Sequence, residues 1–394
     1  MALKRLALLF CICFFCVARS FAQDSCDLRI TLLTCAPGSE LYSTFGHTAL
    51  RVQDEHAGLD LVFNYGTFVF DDDFYMKFIR GKLLYSLSVE NFDDFIYEYK
   101  LESRSVQEQV LQLSCQEKQQ LFHALQVNAR PENRDYKYDF LFDNCTTRAR
   151  DIVARNTAQP VVYKNILPDK TPTFRDLIHT YLDKGHEYWS KLGIDILLGA
   201  RLDKNVTNQQ AMFLPDYLLK GFDSAYTGKH PLVSPPQTIL QMPSVSDEGF
   251  VFTPMVLFSI LLLFIAGLTI LKAGWAIAVM RVFDYLFFFV LGLAGLLILF
   301  MWFGTDHKVC QNNFNLFWAL PTHVAAAFFI LRKKAWVAQY FSFVFWISAI
   351  LIVTWFFLPQ QLNPALIPLV LIILLRSWQI SKNKTYGAQA NPVR

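Results

Sequence analysis

A cysteine stands where a helix is set to begin. In "DNCTTRARD", residues 143 to 151, Cys145 follows the capping residues Asp143 and Asn144 and precedes Ala149, Ile152 and Val153 at helical spacing. Two readings are open, a buried cysteine or an aimed nucleophile. A thiol at a helix N-terminus feels the positive end of the macrodipole, and Arg148, one turn on, is placed to favour the thiolate. An Asp143 carboxylate close to sulfur would work the other way. A thiol nucleophile also needs an imidazole within hydrogen-bond reach, oriented by a third polar group. The candidates are His47, His56, His123, His179, His186 and His230. His56 falls in a hairpin turn, His123 in the exposed register of a helix, His179 and His186 beside a short helical stretch, and His230 in a proline-rich segment. His47 alone starts a strand after a glycine, in "YSTFGHTALRV". Taken by itself, such a histidine is more often structural than catalytic.

The elements that would position this pair are legible as an α+β domain over residues 23–226. "RITLLT", "HTALRV" and "LVFNYG" read as strands, the last two joined by the polar turn "QDEHAGLD". Within "HTALRV", Thr48, Leu50 and Val52 share one face and His47, Ala49 and Arg51 the other. "SCQEKQQLFHALQV" opens with Ser114 three before Glu117, a capping-box spacing, with Leu121, Phe122 and Leu125 on one stripe. Further helices are expected near 145–155, 173–183 and 208–221. Twelve aromatics lie between Phe63 and Tyr99. They either fill the core or line a surface or slot for lipid.

The chain is 53% hydrophobic, above the ordinary globular range, and the excess lies in its last 150 or so positions. From Phe252 onward five apolar segments follow, roughly 252–271, 283–303, 316–331, 338–358 and 364–376. The first, second and fourth are long enough for a hydrocarbon core of about 30 Å, and the third and fifth are marginal. A transmembrane domain over 252–376 and a tail over 377–394 are therefore expected. Lys272, Arg281, Arg332, Lys333, Lys334, Arg376, Lys382, Lys384 and Arg394 fall on one side of a five-span arrangement, and Lys308 alone on the other. By the positive-inside rule the basic side and the C-terminus are cytoplasmic, and the N-terminal domain lies outside a bacterial inner membrane. Residues 1–22, with Lys4, Arg5, an apolar run and Ser20-Phe21-Ala22, read as a secretory signal peptide, with an uncleaved anchor as the alternative. Residues 227–251, with Pro231, Pro235, Pro236 and Pro243, read as an extended tether. Without the leader, five cysteines remain: Cys26, Cys35, Cys115, Cys145 and Cys310. Cys145 is the choice for the free thiol, and spacing leaves any pairing of Cys26, Cys35 and Cys115 open.

The runs "LLTCAPGSELYSTFGHTALRV", "FNYGTFVFDDDFYMKFIRGKLLY" and "YDFLFDNCTTRARDIV" resemble the N-terminal periplasmic domain of the Lnb family of lipoprotein N-acyltransferases. "FGTDHKVCQNNFNLFWALP" is similar to the family's membrane part. Histidine on a strand followed by cysteine on a later helix is also the order of permuted papain-like (NlpC/LRAT-like) folds. The resemblance implies His47 as base and Cys145 as nucleophile. The reaction it implies moves an acyl chain from a membrane phospholipid, through a cysteine thioester, to the α-amine of a diacylated lipoprotein. In such sites a polar residue on the strand after the histidine orients its ring, and Asn64 is the candidate, although the expected hairpin register places Thr67 opposite His47. The oxyanion would be held by the Cys145 backbone N–H and one more donor. Arg148, Asn144, Tyr65, Asp306 and His307 complete the candidate substrate or oxyanion residues. No nucleotide-binding glycine pattern, HExxH or CxxC occurs, so no cofactor or metal is implied. The net charge of +3 gives no footprint for nucleic acid. The same dyad with water as acceptor would make a membrane-tethered thiol hydrolase acting on phospholipid or peptidoglycan. A non-catalytic lipid- or partner-binding membrane protein is the third reading.

Overall fold

The computed structural model describes residues 26–69, 71–243, 252–271, 273–330 and 335–382. The leader expected over 1–22 and most of the expected tail lie outside these. Among the described residues the N-terminal part has ten strands: β1 (Leu28–Cys35), β2 (His47–Asp54), β3 (Leu59–Thr67), β4 (Leu84–Asn91), β5 (Val106–Val110), β6 (Asp135–Lys137), β7 (Val161–Val162), β8 (Tyr226–Thr227), β9 (His230–Pro231) and β10 (Gln237–Leu240). Between them lie α1 (Phe74–Ile79), α2 (Phe92–Leu101), α3 (Cys115–Asn128), α4 (Cys145–Arg155), α5 (Phe174–Lys184), α6 (Tyr188–Leu197), α7 (Asn208–Ala211) and α8 (Pro215–Asp223). The helix expected over 208–221 is thus two helices. Pro215 has no N–H to continue α7 and instead occupies the first turn of α8. His179 lies inside α5 rather than beside it.

Seven strands form one antiparallel sheet in the order β10-β5-β1-β2-β3-β4-β6. Its two faces follow from alternation. Leu32, Leu50, Val52, Phe63 and Tyr65 pack with Leu121, Leu125, Ala149 and Val153 of α3 and α4 on one side. Leu33, Cys35, Ala49 and Val62 pack with Phe95 and Tyr99 of α2 on the other. The stretch expected as a free tether is folded as far as Leu240. Residues 237–240, which contain no proline, add β10 to the sheet edge beside β5 just after Pro235 and Pro236.

The C-terminal part is helical: α9 (Pro254–Ile270), α10 (Gly274–Phe303), α11 (His323–Ile330), α12 (Ala335–Thr354) and α13 (Ile367–Ser381). Three helical stretches among the described residues are long and apolar enough to cross a membrane: Gly274–Phe303, Trp336–Phe357 and Pro364–Ser381. Two expectations change. The first apolar segment, expected to span, is a shorter helix of 17 residues, and the last, expected to be marginal, reaches Ser381. Arg376, counted among the orienting basic charges, is buried and makes paired hydrogen bonds of 2.8 Å to Asp284, with a third to Thr269 at 2.9 Å. It ties α13 to α10 and α9, as an intramembrane ion pair must if neither charge is to face lipid.

The two parts are locked together through α6 and the loop after it. Asn313 and Asn315 donate to the Ile196, Leu197 and Asp195 carbonyls. Asn363 and Gln360 donate to the Asp195 carboxylate and the Leu198 carbonyl at 2.9 and 3.0 Å. Asp195, fully buried, also binds Arg175 at 2.6 Å and His179 at 2.9 Å, so one carboxylate anchors α5, α6 and the membrane part.

Candidate active site

Cys145 is the first residue of α4. Asn144 caps this helix: its side chain accepts from the Thr147 N–H at 2.8 Å, while the Thr147 hydroxyl accepts from the Asn144 N–H at 2.8 Å. The Asn144 amide donates to the Phe140 and Phe213 carbonyls. Both amide protons are therefore spent, and Asn144 fixes the start of the helix with no donor left for a substrate.

His47 is the first residue of β2, opposite Cys35 on β1. Between β2 and β3 the register runs Leu50↔Phe63, which sets Gly66, not Thr67, across from His47. A one-residue change of register moves a side chain to the other face of the sheet, so Asn64 shares the face of His47. The contact follows, with the His47 Nε2 2.6 Å from Asn64 Oδ1. The Asn64 amide group donates to Glu90 Oε1 at 3.0 Å. A carboxylate only accepts, so Glu90 fixes which way Asn64 points, and the Asn64 oxygen in turn requires the proton on His47 Nε2. That leaves Nδ1 for the hydrogen bond His47 makes with Cys145.

Around the half-buried Cys145 thiol the charges are balanced in its favour. Burial alone raises its pKa. The His47 charge, the hydrogen bonds from His47 and the Thr146 hydroxyl, and the Thr48 backbone N–H outweigh that and bring it from 9.0 to about 7. Burial likewise opposes a charged His47, yet the Cys145 charge and the hydrogen bonds with Cys145 and Asn64 raise its pKa above 6.5. The pair is therefore biased towards thiolate and imidazolium. Cys35, facing His47 across the strand pair, is the contrast: burial pushes its thiol up to about 12, despite a hydrogen bond with Tyr99. Cys26, Cys35, Cys145 and Cys310 are free thiols.

Three further residues close the site without having been singled out in the sequence. Gly66 has φ +93° beside an irregularity in the β3–β4 pairing. A Cβ there would stand 3.4 Å from Cys145 Cβ and 3.9 Å from both His47 Cε1 and the Tyr136 hydroxyl, so thiol, imidazole and phenol converge on bare backbone. The Tyr136 hydroxyl is buried and has no hydrogen-bond partner among the described residues. Burial holds its pKa well above 10, so the group stays an O–H donor. Glu90 is the third. Two of them had no signal to carry them: β6, which holds Tyr136, is three residues long, and Glu90 acts only through Asn64.

The remaining candidates are elsewhere engaged. Arg148 forms a paired contact with Asp143 at 2.6 and 2.9 Å and lies 3.5 Å over the Tyr136 ring, so it braces that phenol and has its charge neutralised. Tyr65 is buried in the core, its hydroxyl accepting from Asn128 at 2.8 Å. Asp306 and His307 sit at the membrane end, where Asp306 binds Lys137 at 2.7 Å and the His47 site is not involved; His307 Nε2 donates to the Phe78 carbonyl at 2.9 Å.

Comparison with known proteins gives two family matches. The Lnb N-terminal periplasmic domain matches residues 20–180, and the Lnb transmembrane domain matches residues 245–385. No curated protein and no solved structure matches. The two matches follow each other in the order of the α/β part and the helical part, and the first contains His47, Asn64 and Cys145. The chain belongs to the Lnb family, as a membrane protein with a periplasmic N-terminal domain.

Proposed function

We propose that the protein is an inner-membrane lipoprotein N-acyltransferase with a permuted papain-like catalytic domain, using Cys145 as nucleophile and His47 as acid and base. The observation that carries the reading is geometric: the Cys145 thiol, the His47 imidazole held by Asn64 and the Tyr136 phenol converge on the bare backbone of Gly66. In the first half-reaction the Cys145 thiolate attacks the ester carbonyl carbon of a phospholipid. The oxyanion that forms is held by the Cys145 backbone N–H and the Tyr136 hydroxyl. Collapse breaks the C–O bond, the leaving alkoxide takes a proton from His47, and lysophospholipid departs from a Cys145 thioester. In the second, the α-amine of a diacylated lipoprotein attacks that thioester. With an ordinary pKa of about 7.7 to 8.0, much of this amine is protonated at neutral pH, so neutral His47 takes the proton that the attack releases. Expulsion of thiolate leaves the amide and restores the enzyme. Asn64 and Glu90 are positioning residues for His47. The topology in this reading has α9 to α13 as five crossings, with the C-terminus cytoplasmic.

The test is incubation of the full chain in proteoliposomes with one defined phospholipid and a diacylated lipopeptide. The expected products are lipopeptide carrying one added acyl group on its amine and an equal amount of lysophospholipid. Free fatty acid with unmodified lipopeptide would make the protein a hydrolase and overturn the transferase reading.

A further inference from the structure

The aromatic segment after β3 does not fill the core. Only Phe74 of α1 is buried, while Tyr75 is 72% exposed and Met76, Phe78 and Ile79 are also exposed, as are Val69 and Leu84 on either side. This surface adjoins the outer end of a membrane span. Phe303, the last residue of α10, is 74% exposed, and the loop that follows it grips α1: the Asp306 N–H donates to the Arg80 carbonyl at 3.0 Å and His307 to that of Phe78. His307 also packs under Gly81, whose φ of +67° and lack of Cβ let the ring approach. Two residues, Gly304 and Thr305, separate α10 from this grip, so α1 is held beside the outer end of α10. Arg80 and Lys82 lie at the gripped end, and Asp71, Asp72 and Asp73 precede the helix. Asp71 pairs with Lys77 and Asp306 with Lys137, leaving Arg80 and Lys82 exposed beside them.

From the buried side of α1 a chain of aromatic contacts leads to the thiol. Phe74 meets Phe68 at 5.5 Å between ring centroids, Phe68 meets Tyr85 at 5.2 Å, and Tyr85 stacks on Tyr138 at 4.1 Å. Tyr85 is also the strand partner of Tyr136, whose hydroxyl is at the Cys145 site.

We propose that α1 and its exposed apolar neighbours are seated in the outer leaflet of the membrane and form the port through which a diacyl phospholipid passes one acyl chain along the Phe68–Tyr85–Tyr138 track to Cys145. The occupant is lipid because the surface continues from a membrane-spanning helix and its gripped end carries cationic side chains that match phosphate. This rests on the reading of Cys145 as acyl acceptor, and the test separates the two. The full chain carrying Cys145→Ala is placed in nanodiscs of phosphatidylethanolamine and phosphatidylglycerol containing a phospholipid with a photoactivatable group at its acyl terminus. Irradiation should label peptides within residues 68–85 as well as α9 to α13, and labelling confined to α9 to α13 would overturn the port. In the otherwise wild-type chain, Tyr75→Ser with Phe78→Ser should lower Cys145 acylation by bilayer phospholipid at least about tenfold relative to acylation by a short-chain, water-soluble ester, since each ring forfeits its apolar burial. An unchanged ratio would also overturn the port. If the wild-type chain is acylated by neither donor, it is the acyl-acceptor reading that fails, and the labelling alone decides whether α1 meets lipid.

Discussion

At the scale of single residues, reactivity is decided by neighbours. Cys145 and Cys35 both approach His47, yet only Cys145 has an imidazole, a hydroxyl and a backbone N–H directed at sulfur. Because the folded pKa of Cys145 is depressed, thiolate is present above it and lost as pH falls through about 7. The rate of Cys145 alkylation by iodoacetamide should accordingly rise through about pH 7 rather than near 9.0. In His47→Ala the two largest opposing effects are gone while those of Thr146 and Thr48 remain, so burial weighs more and the inflection should move upward; an unmoved inflection would remove His47 from the site. Two such coupled groups titrate as a pair, so the lower inflection belongs to the ion pair and not to sulfur alone. Tyr136→Phe deletes a donor that has no other partner. Loss of one oxyanion donor should slow acyl transfer by about 10²–10³, read in single-turnover kinetics, while alkylation, which passes through no oxyanion, keeps its rate. Equal losses in both would mark Tyr136 as merely structural.

At the scale of elements, the strands matter through their register. The alternation in "HTALRV" placed His47, Ala49 and Arg51 on one face, and the capping pattern placed Cys145 at a helix start; both were legible because they are local. The partner of His47, Asn64, was legible only through the resemblance and not from the strand pairing, because the hairpin register depends on the turn between β2 and β3. There Asp54 accepts from the Ala57 N–H and Gly58 takes φ +62°, which sets the pairing one residue away from the expected one. That single step brings Asn64 to the histidine. Nor was β10 legible, since its pairing depends on β5, more than a hundred residues earlier, and the prolines that flank it, Pro235, Pro236 and Pro243, read as a tether. The twelve aromatics were undecidable as a group because they divide: Phe95 is core, whereas Tyr75 and Phe78 are exposed. Gly66 carries the element-scale prediction. Gly66→Ala must hold a side chain at φ +93°, which costs about 1–3 kcal/mol, and its methyl group would stand in van der Waals contact with Cys145 and take the space in front of the thiol. A lower melting temperature together with slower Cys145 alkylation is expected, and a wild-type profile in both would show that the strand relaxes freely there.

At the scale of the whole molecule, the α/β part is held at a fixed height over its membrane part. The grip on α1 from one side and the Asp195 junction on the other leave it two points of attachment. Asp195→Ala takes from Arg175 and His179 the carboxylate they share and leaves Arg175 only Asp203, at a cost below the about 3–5 kcal/mol of a fully orphaned buried charge. The variant should melt earlier in detergent and expose the segment between α5 and α7 to protease; unchanged melting and cleavage would show that the junction does not hold the parts together. A thiol fixed near the bilayer in this way is suited to collect an acyl group from lipid and hold it for a second substrate. The most direct measurement is therefore the intact mass of the full chain after incubation with one defined phospholipid and no acceptor, for the wild type and for Cys145→Ala. The account predicts a hydroxylamine-labile gain of one acyl group in the wild type, matched by released lysophospholipid and absent from the variant. A wild-type chain that stays unmodified and releases no lysophospholipid even when a diacylated lipopeptide is added would contradict it.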